Sequence, residues 1–269
     1  ADVVLLTQRP GLPPRSTAVE AVAMVTRDKV PAQELLAAAG LHELADVPVP
    51  ALSGGQAAHV ALVRALAARP AVLIVDEPLA AVDVKSAERW RRFLHAARAD
   101  RTTLLVTHDA LDIAHLAQDM LVMESGRVRA HGATARLLEA PPTGFVAALA
   151  GLNRLEGTVT EIGASAVEVA CGDITVLAAT EHAPLALGQK VAVTFDPHAA
   201  TLGAAPEACN QWEARVLAVE ATSLAAAQLR VDLGGHEATV PVDREFALGV
   251  KVGNIVSLTV SKANVFVHP

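Results

Sequence analysis

Leu52-Ser53-Gly54-Gly55-Gln56 sets a serine and two glycines at the head of a long apolar segment. A serine there caps a helix, and glycines let backbone N–H groups approach an anion with no Cβ in the way. The helix macrodipole adds roughly +0.5 charge at that end. The chemistry this turn can do is anion binding, phosphate above all. Further on, Ala71-Val72-Leu73-Ile74-Val75 runs into Asp76-Glu77-Pro78. A short apolar run that ends in two acids reads as a buried parallel strand with its carboxylates at the C-terminal edge, where open α/β sheets bind ligands. Residues 102–106 read as another buried strand, closed by Thr107-His108-Asp109, and residues 3–7 as a strand ending in Gln8. Taken singly, each has a plainer reading: a capped turn, solvated strand-end acids, a structural histidine. Their order along the chain is what favours chemistry.

The elements that must position these groups follow from periodicity. Residues 57–68 are helical by composition and by the spacing of Val60, Leu62, Val63 and Leu66, and Arg69-Pro70 ends them. Residues 17–26 and 85–99 read as helices, the second amphipathic, and residues 32–44 as helix-rich. Ala80-Ala81-Val82-Asp83 lies between the acids and the amphipathic helix. Met120-Leu121-Val122-Met123, then Glu124-Ser125-Gly126-Arg127-Val128, reads as strand, tight turn and strand. Residues 132–140 and 144–149 read as short terminal helices.

Composition shifts near Gly151, where an Ala-rich helical pattern gives way to short alternating runs separated by glycine. Residues 158–162, 166–169, 174–177 and 190–195 are strand candidates. The segment repeats: Leu155-Glu156-Gly157-Thr158-Val159 parallels Trp212-Glu213-Ala214-Arg215-Val216, and Gly188 to Thr194 parallels Gly253 to Thr259. Two similar β-modules in tandem fit small OB-like barrels. The expected division is an α/β domain over residues 1–150 and an all-β domain over residues 151–269.

The sequence LSGGQ, followed by Asp76-Glu77 and then His108, resembles the ATP-binding cassette (ABC) ATPases. The resemblance implies an α/β P-loop NTPase-type core and a role for each residue. Ser53, Gly54, Gly55 and Gln56 would close on the γ-phosphate of ATP held by a second subunit, so a homodimer is implied. Asp76 would hold Mg²⁺, Glu77 would polarise the attacking water, and His108 would contact the γ-phosphate. Gln8 would touch Mg²⁺ and water at the head of a segment that meets a membrane permease subunit. Asp83 would belong to the loop usually written SALD, where Ala and Val here replace Ser and Leu. The family's G-x-x-x-x-G-K-[ST] loop, which supplies the amide nest and lysine for the β- and γ-phosphates, occurs nowhere in the chain. The reading is therefore of an N-terminally truncated core that does not hydrolyse ATP alone.

The β-modules resemble the TOBE (Mop-like) domains of some importers. Asn210-Gln211-Trp212-Glu213-Ala214-Arg215-Val216 looks like a Mop opening strand, and Val260-Ser261-Lys262-Ala263-Asn264-Val265 like its closing strand. Such modules hold molybdate or tungstate with amides, hydroxyls and lysine, so Lys262 and then Asn210 are the candidate ligands. Cys209 and Ala263 stand where the family usually has Arg and Ser or Thr. The implied protein is the ATPase subunit of a bacterial importer, most similar to molybdate-uptake types. It would lie at the cytoplasmic face of the cell membrane, fed indirectly by an extracytoplasmic solute-binding protein. Two alternatives stay open: a non-catalytic oxyanion-binding regulator, and an ATPase for sulfate, iron, sugar or polyamine.

Composition excludes other classes. A net charge of −7 argues against nucleic-acid binding, and 3% aromatics with no Tyr disfavours base-stacking surfaces. The chain is 52% hydrophobic, much of it Ala and Val, yet no apolar run approaches the ~20 uncharged residues that cross a bilayer. Cys171 and Cys209 lack metal or redox spacing and fit a reducing compartment.

Overall fold

The computed structural model describes residues 2–8, 11–80, 82–97, 101–179, 185–203, 209–223 and 225–269. Arg9, Pro10 and Ala81 of the predicted loops, and the side chain of Cys209, lie outside the described residues. The chain divides into two compact units, Ala1–Met120 and Leu121–Pro269. The division precedes the composition shift at Gly151, because the hairpin and two short helices before that glycine group with the β-modules.

In the first unit, β1 (Val3–Leu6) is followed by α1 (Ala18–Thr26), α2 (Lys29–Ala38), α3 (Gly54–Ala67), β2 (Val72–Asp76), α4 (Val84–Ala97), β3 (Thr102–Val106) and α5 (Ala110–Leu116). The strands form a parallel sheet in the order β1-β2-β3. Thr17 caps α1 in a capping box with Glu20, and Asp28 caps α2. Val60, Leu62 and Val63 of α3 pack with Val22 of α1, Leu36 of α2 and Leu73 and Val75 of β2, all fully or almost fully buried.

The expectation of buried strands holds on one face only. Along β2 burial alternates, with Leu73 and Val75 inside. Leu104 and Val106 of β3 are each 54% exposed, and Val3 and Leu5 of β1 are 55% and 61% exposed. The sheet has helices against one side, so these apolar residues face outward among the described residues.

His59 of α3 stacks on Trp90 of α4 with ring centroids 4.5 Å apart. Burial and the Arg89 guanidinium push the imidazole down to about 4. Between that value and the ordinary 6.5 the unfolded chain takes up a proton that the folded chain refuses, so stability falls as pH falls through the window and levels off below it. The expected loss from this group is roughly 2–3 kcal/mol between pH 7 and 4. The difference in denaturation free energy between wild type and His59→Gln, followed across that range, checks it. A difference that does not change with pH would show that His59 titrates alike in both states.

The hairpin of β4 (Asp119–Glu124) and β5 (Arg127–Ala133) starts two residues before the division and falls mostly in the second unit, followed by α6 (Thr134–Glu139) and α7 (Gly144–Leu149). Ser125 and Gly126 both have positive φ (50° and 72°), as a tight two-residue hairpin turn requires. The helix expected from residue 132 starts later, since β5 continues through Ala133.

The remaining strands are β6 (Asn153–Ile162), β7 (Ala166–Cys171), β8 (Ile174–Ala179), β9 (Lys190–Phe195), β10 (Ala200–Leu202), β11 (Cys209–Ala221), β12 (Ala226–Leu233) and β13 (His236–Asp243). After α8 (Arg244–Gly249) come β14 (Ile255–Ser261) and β15 (Val265–His268). They form two five-stranded sheets, β15-β9-β6-β7-β8 and β10-β14-β11-β12-β13. The repeat is therefore real but interleaved. The last strand of the first repeat, β10, pairs with β14 of the second, and β15 of the second pairs with β9 of the first. Phe195, Trp212, Leu155, Leu229 and Leu258 belong to one apolar core shared by both sheets. Two independent barrels in tandem are replaced by one body with exchanged strands.

Candidate functional site

Ser53 adopts an extended conformation and caps α3. Its Oγ accepts from Gln56 N at 3.2 Å while Gln56 Oε1 accepts from Ser53 N at 2.9 Å. The side chains of Ser53 and Gln56 thus rigidify the turn, and Gly54 and Gly55 present backbone. Nothing lies within 4 Å of a Cβ placed on Gly54, so its surface is open to a ligand.

Gln8, Gly54, Gly55, Asp76 and Glu77 border one cleft of about 440 Å³, with Pro78 and Ala80 beyond them. Parallel pairing of β1 with β2 brings Gln8 beside the acids, since both follow the C-terminal ends of neighbouring strands. The resemblance places the signature against a nucleotide on a second chain; within this chain it borders the same cleft as the acids.

Glu77 sits at φ 48°, a left-handed conformation that costs a non-glycine residue roughly 1–3 kcal/mol. Its N–H donates to Val106 O at 2.9 Å, tying the end of β2 to the end of β3. The strained turn aims the carboxylate at His108, whose Nδ1 lies 2.6 Å from Glu77 Oε1. The hydrogen bond to Glu77, together with that carboxylate's charge, raises the His108 imidazole above its ordinary value. The pair is lopsided in exposure: the Glu77 side chain is 17% exposed and the His108 ring 72%. A shielded carboxylate with an outward imidazole beside it can orient a water molecule and hold its proton.

Asp83 caps α4, its Oδ1 accepting from Ser86 N at 3.1 Å. It is not among the residues that border the cleft. Asp76 and Gln8 offer hard oxygen donors on the cleft wall, the kind Mg²⁺ takes in ones and twos while keeping substrate phosphates and water. No group of three or more His, Cys, Asp or Glu that could hold a metal occurs among the described residues.

The oxyanion candidates fare differently. Asn210 is buried and its amide is spent on backbone. Oδ1 accepts from Leu177 N at 2.6 Å, and Nδ2 donates to Leu177 O at 2.8 Å and to Val260 O at 3.3 Å. Asn153, at the matching position of the repeat, does the same with Thr239 N and O at 2.7 and 2.9 Å. The two asparagines are clamps joining the sheets, which leaves Asn210 nothing to offer an anion. Lys262 is half-buried and opens a 3-10 turn, Lys262–Asn264, rather than lying on a closing strand. The sequence pattern gave no sign of Arg91 or Asp112, which brace the His108 loop; buried charge on a helix of ordinary amphipathic spacing carries no such signal.

The fold is a P-loop ABC ATPase core segment followed by all-β TOBE sheets. Residues 1–80 match the ABC transporter family, and residues 206–267 match the TOBE domain. The chain is 42% identical over 135 residues to the molybdenum import ATP-binding protein of Mycobacterium tuberculosis, covering 49% of this chain and 37% of that protein. It is 35% identical over 232 residues to a sulfate/thiosulfate import ATP-binding protein of Chromobacterium violaceum, covering 83% and 62%. It is 36% identical over 216 residues to a spermidine/putrescine import ATP-binding protein of Thermobifida fusca, covering 75% and 55%. The chain thus spans between 37% and 62% of the length of these relatives.

Proposed function

We propose that this chain is part of the ATP-binding and hydrolysing subunit of a bacterial ABC importer. The observation that carries the reading is the Glu77–His108 pair at 2.6 Å on a cleft bordered by Gln8, Asp76 and the signature glycines. In this reading Mg²⁺ held by Asp76 and Gln8 supplies charge neutralisation for the phosphates. Glu77 accepts a hydrogen bond from the attacking water and orients it in line with the γ-phosphate. His108 holds Glu77 in place and faces the phosphate with a second donor. Gly54 and Gly55 contribute backbone N–H groups to the γ-phosphate across a homodimer interface, and the segment after Gln8 contacts a permease subunit at the cytoplasmic face of the membrane. No helix among the described residues is long and apolar enough to cross a membrane. The β- and γ-phosphates also need an amide nest with a lysine, which these 269 residues do not contain. Among the described residues, Val3, Leu5, Leu104 and Val106 face outward from one side of the sheet.

For the cargo we propose a molybdate-type oxyanion, on the 42% identity to the mycobacterial molybdenum protein. The longer matches to sulfate and polyamine proteins keep those cargoes as the alternative. Lys262 is the proposed contact in the β-unit, or the unit braces a dimer without binding anion.

The test joins a phosphate-loop segment ahead of this chain and measures Mg²⁺-dependent ATP hydrolysis and pairing, with calorimetry of molybdate, tungstate and sulfate. Hydrolysis by a dimer supports the reading. A monomer that binds no nucleotide overturns it, and absence of heat with either metal oxyanion removes the cargo assignment alone.

A further inference from the structure

His108 lies on the short link between β3 and α5, and with a ring 72% exposed it has little packing to aim it. Its Nδ1 nevertheless meets Glu77 Oε1 at 2.6 Å. The groups that hold the link come from α4 and from α5. Arg91 Nε donates to Asp112 Oδ1 at 2.6 Å, and Arg91 Nη2 donates to Asp109 Oδ1 at 3.2 Å. Thr107 Oγ1 donates to Asp112 Oδ2 at 3.4 Å and accepts from Asp109 N at 3.1 Å. Asp109 Oδ1 also accepts from Asp112 N at 2.9 Å. Four side chains thus close a ring of hydrogen bonds around the backbone that carries His108, and only the imidazole stays outside it.

We propose that Arg91 and Asp112 are positioning residues for His108, their ion pair holding residues 107–109 where the imidazole reaches Glu77. The Arg91 side chain is 11% exposed and that of Asp112 3%. Burying such a pair is a poor way to gain stability, because desolvation offsets much of the attraction and an apolar pair packs as well. What the pair adds is geometry: the planar guanidinium reaches both the residue that caps α5 and one in its first turn, so the loop has one register. Lysine cannot span both carboxylates with a fork.

The functional meaning rests on the reading of Glu77 and His108 given above, but the test needs no nucleotide. The histidine ring signals of the 269-residue chain are titrated by NMR. In the wild type His108 titrates above 6.5, under Glu77 first and then Asp109 and Asp112, and Glu77→Gln brings it down. In Arg91→Met the His108 midpoint falls toward that of Glu77→Gln, and Arg91→Lys restores part of the difference. Arg91→Gln, a polar side chain without the charged fork, removes the ion pair in the same way and lowers the midpoint as well; it serves if Arg91→Met does not fold. His59, stacked on the residue before Arg91, keeps its depressed midpoint as a sign that α4 has not moved. A wild-type His108 midpoint in a folded Arg91→Met or Arg91→Gln variant overturns the proposal. So does a wild-type His108 that ignores Glu77→Gln. If the titrations behave as stated while the completed protein hydrolyses no ATP, the positioning stands and the ATPase reading falls.

Discussion

Glu77→Gln, in the chain completed with a phosphate-loop segment, is expected to leave ATP binding intact and to lower turnover by ~10²–10⁴-fold, the usual worth of a general base. The glutamine keeps the size of the side chain and one acceptor oxygen, so the cleft keeps its shape. What disappears is the negative charge, and with it the ability to hold a proton from water. The same substitution removes the main cause of the raised His108 value. The sign of that linkage is definite. Because the folded imidazole binds its proton more tightly than the unfolded one, the pair's contribution to stability is complete below about 6.5 and is lost as pH rises through the folded value. Glu77→Gln therefore flattens this part of the pH–stability curve as well as slowing hydrolysis. Turnover at the wild-type rate would show that another group orients the water, and the left-handed strain at Glu77 would then need a different explanation.

Several parts of this arrangement were legible in the residues. Ser53 before two glycines and a helical run announced a cap, and it is one, closed reciprocally by Gln56. An apolar run ending in Asp76-Glu77 announced a strand with carboxylates at its end, which is β2. These signals are local: a cap and a strand end are decided within a few residues. The failures are all long-range. Burial of β3 was inferred from its apolar residues, but exposure depends on what covers the sheet, and its outer face stays open among the described residues. The exchange of β10 and β15 was invisible because a three-residue strand carries no periodicity, and its partner is chosen by a core assembled from distant residues. Asn210 was named the second anion candidate by its position in the Mop-like strand. Its true partners, Leu177 and Val260, are brought together only by the packed sheets. The chemistry of a polar side chain follows its neighbours, and sequence names neighbours only along the chain.

That exchange also sets the last expectation, that Gly172→Ala cripples the whole β-unit. Gly172 lies in the turn between β7 and β8 at φ +57°, and Gly234 in the turn between β12 and β13 at φ +61°. The two turns abut: a Cβ on Gly172 would stand 1.8 Å from Gly234 O, and Asp173 N donates to the same oxygen at 3.4 Å. A backbone carbonyl cannot swing aside as a side chain can, so one hairpin must withdraw from the other. Gly188 supplies the comparison. It has φ +77° but nothing within 4 Å of the added Cβ, so Gly188→Ala meets only the conformational cost of about 1 kcal/mol. Gly172→Ala carries that cost plus the overlap, and about 3 kcal/mol or more is expected in all. Denaturant unfolding followed by circular dichroism compares the two variants directly. Because β7 and β8 lie in one sheet and β12 and β13 in the other, with one core between them, the loss should come as a single transition. Two separate transitions within the β-unit, or a cost no larger than that of Gly188→Ala, would mean that the repeats stand apart and the exchanged strands do not bind them into one body.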